Sequence, residues 1–89
     1  MEVAFSPTFV RMFKAFPREL QDEAIEKIEQ FRNPRHHITL KVHKLKGSLR
    51  DRYSFSVNYR IRIVFRYIEL SKRRTAYLLA IGDHDVYIN

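Results

Sequence analysis

Residues 59–67, YRIRIVFRY, alternate strictly between two chemistries. Ile61, Ile63, Phe65 and Tyr67 take one parity; Arg60, Arg62, Val64 and Arg66 take the other. Side chains on a strand point to opposite faces in turn, so this period reads as a strand over 59–69 with one apolar and one cationic side. A helix would scatter the same residues around its surface. The chain must therefore build a sheet that covers one face with a core and leaves the other lined with guanidinium groups.

The rest of the second half keeps the same period. Residues 41–46 (KVHKLK) lead to a turn at Gly47, and Tyr53, Phe55 and Val57 alternate with Ser54 and Ser56 in a strand ending near Asn58. Residues 75–82 (TAYLLAIG) are apolar at both parities, which suits a strand in the middle of a sheet. The first half follows a helical rhythm. After a short first strand at 2–5, Ser6-Pro7 supplies a cap and a first-turn proline, and Phe9, Val10, Phe13 and Phe16 recur at helical spacing. Pro17 divides this helix from a second one carrying Leu20, Ala24, Ile28 and Phe31, which Asn33-Pro34 ends. The expected fold is α+β: two N-terminal helices packed on one face of an antiparallel sheet of about four strands. Eighty-nine residues allow one domain, 1–89.

Charge is distributed unevenly. Residues 1–32 carry a net −1 and residues 33–89 a net +8. The second helix holds five of the ten acids, so the positive field belongs to the sheet half. A polyanion is the natural partner for such a surface. The N-terminus has no basic segment followed by an apolar run, and no apolar stretch approaches a membrane span, so the expectation is a cytoplasmic protein without a membrane partner. With no Cys there is neither a disulfide framework nor a thiolate metal site. Asp83, His84 and Asp85 are neighbours on an extended chain and diverge, so no metal or other cofactor is expected. Two Gly give no phosphate-binding loop, and no Ser sits in a nucleophile elbow. What remains is a row of arginines suited to phosphate, with His84 and Tyr87 able to hold or move protons at the end of the last strand.

The runs HKLKG (43–47), YSFSV (53–57), YRIRIVF (59–65) and IGDHDVY (81–87), in this order and behind a helical hairpin, resemble the RelE/ParE toxin superfamily. The RelE-type branch implies a metal-independent, ribosome-dependent endoribonuclease held in check by a cognate antitoxin. In it the mRNA 2′-hydroxyl attacks the neighbouring phosphate. The resemblance gives Arg62 the scissile phosphate and the charge that builds on it. His84 falls where relatives place a catalytic His or Arg, and Tyr87 matches the aromatic that closes the motif, with a spacing of three where many relatives have four or more. His43 resembles a His that takes part in catalysis in some branches, although alternation puts it on the inward face with Leu45. Lys44 and Lys46 then lie opposite and join Arg60 and Arg66 as RNA-backbone contacts. Ser54 and Ser56 stand on the same RNA path where some members carry two lysines, which favours a histidine-using variant or an inactive binder. The alternative is a non-catalytic ParE-like inhibitor of DNA gyrase, or a nucleic-acid-binding module.

Overall fold

The Ser6 hydroxyl accepts a hydrogen bond from the Phe9 N–H at 2.9 Å, and Pro7 occupies the first turn. These two residues start α1, Pro7–Lys14. The same hydroxyl donates to the Leu79 carbonyl at 3.2 Å, so the cap also pins the helix to the sheet. Pro17 precedes α2, Arg18–Phe31, where Gln21 folds back and donates to the Phe16 carbonyl at 2.8 Å. Asn33 caps a short 3₁₀ turn at Pro34–His36 and ends the helical half.

The structure is a computed structural model and describes residues 1–83 together with Val86. Five strands follow the chain as β1 Glu2–Phe5, β2 His43–Lys44, β3 Tyr53–Ser56, β4 Arg62–Leu70 and β5 Arg73–Gly82. Their order across the sheet is β1-β5-β4-β3-β2. β1 runs parallel to β5, with Glu2 opposite Thr75, and every other neighbouring pair is antiparallel. The fold is α+β with two N-terminal helices and a five-stranded, mostly antiparallel sheet, one strand more than expected because β1 closes an edge. β5 has a strand on each side, as its apolar residues at both parities require.

The core lies between the helices and one sheet face. Phe9, Ala24, Ile28 and Phe31 from the helices meet Phe55, Ile63, Phe65, Ala76, Leu78 and Ile81 from the strands. Phe31 is at its centre, with ring centroids 4.3 Å from Phe55 and 4.9 Å from Phe65. The core residues of β5 change parity between Leu78 and Ile81. A β-bulge explains this: Val64 pairs with Ala80, but Phe65 pairs with Leu78, so Leu79 is the extra residue.

Two expected strands are shorter than their patterns suggested. The 59–69 strand begins only at Arg62. Residues 57–61 form a turn in which the Asn58 side-chain oxygen accepts from the N–H groups of Arg60 and Ile61, both at 2.8 Å. Within 41–46 the strand is His43–Lys44 with one further ladder bond at Leu45, and Lys41 adopts a left-handed backbone (φ 59°) that bends the chain just before.

The β4–β5 hairpin turns on Ser71 and Lys72, at φ 53° and 65°. Two successive left-handed residues are the signature of a type I′ turn, which normally uses Asn-Gly. A side chain in this region costs about 1–2 kcal/mol, part of which Gly recovers. Lys72→Gly is therefore expected to raise the unfolding free energy by about 1 kcal/mol, read as a higher denaturant midpoint at unchanged slope. An unchanged or lower midpoint would show that the turn carries no such strain.

Candidate functional site

The register fixes which side chains share the face turned away from the helices. Ile63 and Phe65 enter the core, so Arg62, Val64 and Arg66 face the other way. Directly opposed residues share a face. His43, Ser54, Val64 and Ala80 therefore form one row across four strands, and Ser56, Arg62 and Gly82 form the next. Arg66 sits opposite Tyr77. The small residues Ser54, Ser56, Ala80 and Gly82 leave a trough with His43 on one flank and arginines along it.

The trough is partly floored with apolar groups. Val64 is 2% exposed and Val86 7%, and a Cβ on Gly82 would stand 3.6 Å from the Val86 Cβ. Beside them, where the start of α1 borders β5, lies a cavity of about 530 Å³ lined by Ser6, Thr8 and Met12 together with Arg52, Val64, Tyr77, Ala80 and Asp83. His43, Arg62 and Arg66 do not line this cavity; they lie beside it. Arg52 and Tyr77 were not singled out from the sequence. Arg52 lies in a stretch read as a turn, yet its carbonyl accepts from the Leu45 N–H at 2.9 Å and continues the β2–β3 ladder. Tyr77 lies in a strand apolar at both parities, where only the register reveals its face.

Arg62 is half-buried, and its Nη1 donates to the Asn58 carbonyl and, at 3.3 Å, to the Ile61 carbonyl. These acceptors hold the fork in place while leaving its charge intact: among the described residues no carboxylate lies within ion-pair distance of it. A fixed guanidinium without a carboxylate is ready for phosphate. His43 is exposed and faces outward with Ser54, which corrects the inward placement drawn from Leu45. Its Nδ1–H donates to the Lys41 carbonyl at 2.8 Å. A carbonyl can only accept, so this bond assigns the proton to Nδ1 and leaves the lone pair of neutral imidazole on Nε2.

The structure scatters the remaining candidates. Lys44 is opposite Tyr53 and so belongs to the helix side, away from His43; two paired residues replaced the longer alternation that had put it on the outer face. Lys46 is exposed just before the 3₁₀ turn Gly47–Leu49. Arg60 is exposed on the β3–β4 turn rather than in β4, because the Asn58 side chain claims its N–H. Ser54 is fully buried and Ser56 half-buried. His84 and Tyr87 lie outside the described residues. Tyr67 is on the helix side, where burial raises its phenol pKa against the lowering pull of Arg74, whose guanidinium lies 3.9 Å from the ring centroid. Among the described residues no three His, Asp or Glu side chains could together hold a metal ion, and no helix is long and apolar enough to cross a membrane.

No protein-family model matches the chain, and no curated protein does. Solved structures do match over nearly its whole length. The YoeB/ParE toxin from Agrobacterium tumefaciens superposes with a TM-score of 0.73 at 13% identity, covering 94% of this chain and 99% of that one. The RelBE2 toxin–antitoxin complex from Mycobacterium tuberculosis gives 0.70 at 17% identity, covering 93% and 96%. The heterotetrameric YoeB–YefM toxin–antitoxin complex from Staphylococcus aureus gives 0.69 at 22% identity, covering 94% and 97%. The chain has the RelE-like fold of these type II toxin–antitoxin toxins.

Proposed function

We propose that the chain is the toxin of a type II toxin–antitoxin pair and cleaves mRNA on the ribosome. The observation that carries this reading is Arg62: a guanidinium fixed by turn carbonyls, with no carboxylate partner among the described residues, lining a depression at the end of the RelE-like sheet. In the reaction the 2′-oxygen forms a bond to the adjacent phosphorus as the bond to the 5′-oxygen breaks. The 2′-hydroxyl proton passes to a base, the 5′-oxygen takes a proton from an acid, and a 2′,3′-cyclic phosphate remains. Arg62 stabilises the charge on the pentavalent phosphate. His43, exposed and oriented by the contact of its Nδ1 with the Lys41 carbonyl, is proposed to accept the first proton. His84 is the proposed acid, and Tyr87 orients the attacking hydroxyl or stacks on a base. Arg66 guides the backbone along the trough.

A cognate antitoxin is the proposed protein partner. The RelBE2 and YoeB–YefM structures are complexes with antitoxins. In this chain α1, α2 and Phe5 border an apolar groove of about 280 Å³, with Phe5 and Ile25 about half exposed at its edge. An amphipathic segment folding on binding could lay its apolar anchors there.

One observation favours the second reading, a ParE-like gyrase inhibitor. On the face turned away from the helices β3 carries the buried Ser54 and the half-buried Ser56, and so contributes no strong proton-transfer group from that strand. Tightly controlled expression followed by mapping of mRNA 5′ ends separates the two. Cuts inside translated codons are the expected result. Intact mRNA together with inhibited supercoiling by purified gyrase would overturn it in favour of the second reading.

A further inference from the structure

A separate depression of about 260 Å³ opens beside Arg62, at the end of the sheet rather than along the trough. Lys27 of α2, Lys41, Ser56, Tyr59 and Arg62 all contribute to its lining, and no carboxylate does. Tyr59 is 87% exposed at the tip of the β3–β4 turn. One exposed aromatic is ordinary on any surface. This one stands on a turn that is tied down at every polar atom of Asn58's side chain. Its oxygen takes the N–H groups of Arg60 and Ile61, and its nitrogen donates to Glu23 Oε1 at 2.8 Å. The N–H groups of Val57 and Asn58 both donate to the Ile61 carbonyl. The phenol is therefore held out in water by a rigid support.

The cations around it are also available. Lys27 approaches Glu26 only at 3.9 Å, and Lys41 has no ion pair among the described residues. Lys41 owes its place on the rim to its left-handed backbone, a conformation an ordinary side chain adopts only when its surroundings enforce it. An aromatic platform bordered by cations, of which Lys27 has only a long ion pair and Lys41 none among the described residues, is the arrangement that binds single-stranded nucleic acid, with bases on the ring and phosphates on the charges.

We propose that this depression is a nucleotide subsite: an unpaired base next to the scissile phosphate stacks on Tyr59, and Lys41 and Lys27 hold the flanking phosphates. The proposal rests on the reading that Arg62 takes the scissile phosphate of an RNA. It makes Tyr59 a determinant of where along the strand the phosphate presented to Arg62 lies.

The test uses the whole chain and short oligoribonucleotides with one 2′-deoxy sugar at the attacking position, so that nothing is cut. Each carries the fluorescent base 2-aminopurine at a different position. Binding at low salt is expected to quench the base at one position, because stacking on the ring shortens its excited state. Tyr59→Ala is expected to abolish that quenching and weaken binding about 5- to 150-fold, the range for removing one base–aromatic stack. Tyr59→Phe and Tyr59→Trp keep a π-face and should stay within about twofold of wild type. Lys41→Gln should flatten the dependence of log affinity on log salt by about 0.7, the value for one phosphate contact on a single strand. If folded Tyr59→Ala binds and quenches like wild type, the subsite is overturned while the RNA reading stands. If wild type binds none of the oligonucleotides, the subsite is overturned, whereas the reading of Arg62 stands or falls separately on the mapping of cut mRNA.

Discussion

Arg62→Ala is expected to slow mRNA cleavage about 10²–10³-fold, the usual consequence of removing one donor aimed at charge that develops in a transition state. The size of the effect follows from the geometry. The guanidinium is half-buried and held by the Asn58 and Ile61 carbonyls, so it is oriented before substrate arrives. The same bonds predict a structural side effect. Losing them should cost about 1 kcal/mol of stability, the usual net contribution of such a part-buried bond to a turn carbonyl. Thermal melting must therefore accompany the rate measurement, and Arg62→Lys supplies the contrast. Lysine keeps the charge but lacks the planar fork, so partial activity is expected. A folded Arg62→Ala that cuts translated mRNA at the wild-type rate would remove Arg62 from the chemistry.

Phe31→Ala is expected to lower the unfolding free energy by about 3–5 kcal/mol. A domain of this length has roughly 4–13 kcal/mol in total. The loss is therefore a large share, and a substantial unfolded fraction at 37 °C is the expected outcome. The reason is the number of partners that lose contact at once. The ring is fully buried, stacks on Phe55 at 4.3 Å and on His37 at 4.9 Å, and meets Phe65 edge-on. It joins α2 to β3, β4 and the segment after the helix, so its removal leaves a cavity that no single element can fill by shifting. Guanidinium unfolding checks it. A midpoint close to that of wild type would mean that the cluster closes around the gap.

What was legible in the sequence was local. Ser6-Pro7 states the start of α1, and the rhythm of Leu20, Ala24, Ile28 and Phe31 states the buried stripe of α2. The alternation of Ile63 and Phe65 with Arg62 and Arg66 states which face of β4 is covered. What escaped depended on distant partners. No local signal says that β1 pairs with β5, some seventy residues away, in parallel. The bulge at Leu79 changes parity inside a run that is apolar throughout, so no pattern betrays it. Alternation with Leu45 puts His43 on the helix side; the register with Ser54 puts it on the other. Arg60 and Tyr59 were placed in a strand, although Asn58 is the kind of residue whose side chain turns the backbone on itself. That misplacement matters most, since it concealed an aromatic group on a rigid turn beside Arg62.

The pairing of β1 with β5 also sets a schedule. On the ribosome the chain is made from its N-terminus, so β1 and both helices emerge well before the strand they need. Until β5 has been made, β4 lacks its longest neighbour and the Ser6 hydroxyl lacks the Leu79 carbonyl. Contacts so far apart along the chain make for slow, late folding. The face bearing Arg62 is thus assembled only once β5 has been made and docks between β1 and β4. For the proposed toxin this is a delay before activity, during which a partner already present could engage the helices first.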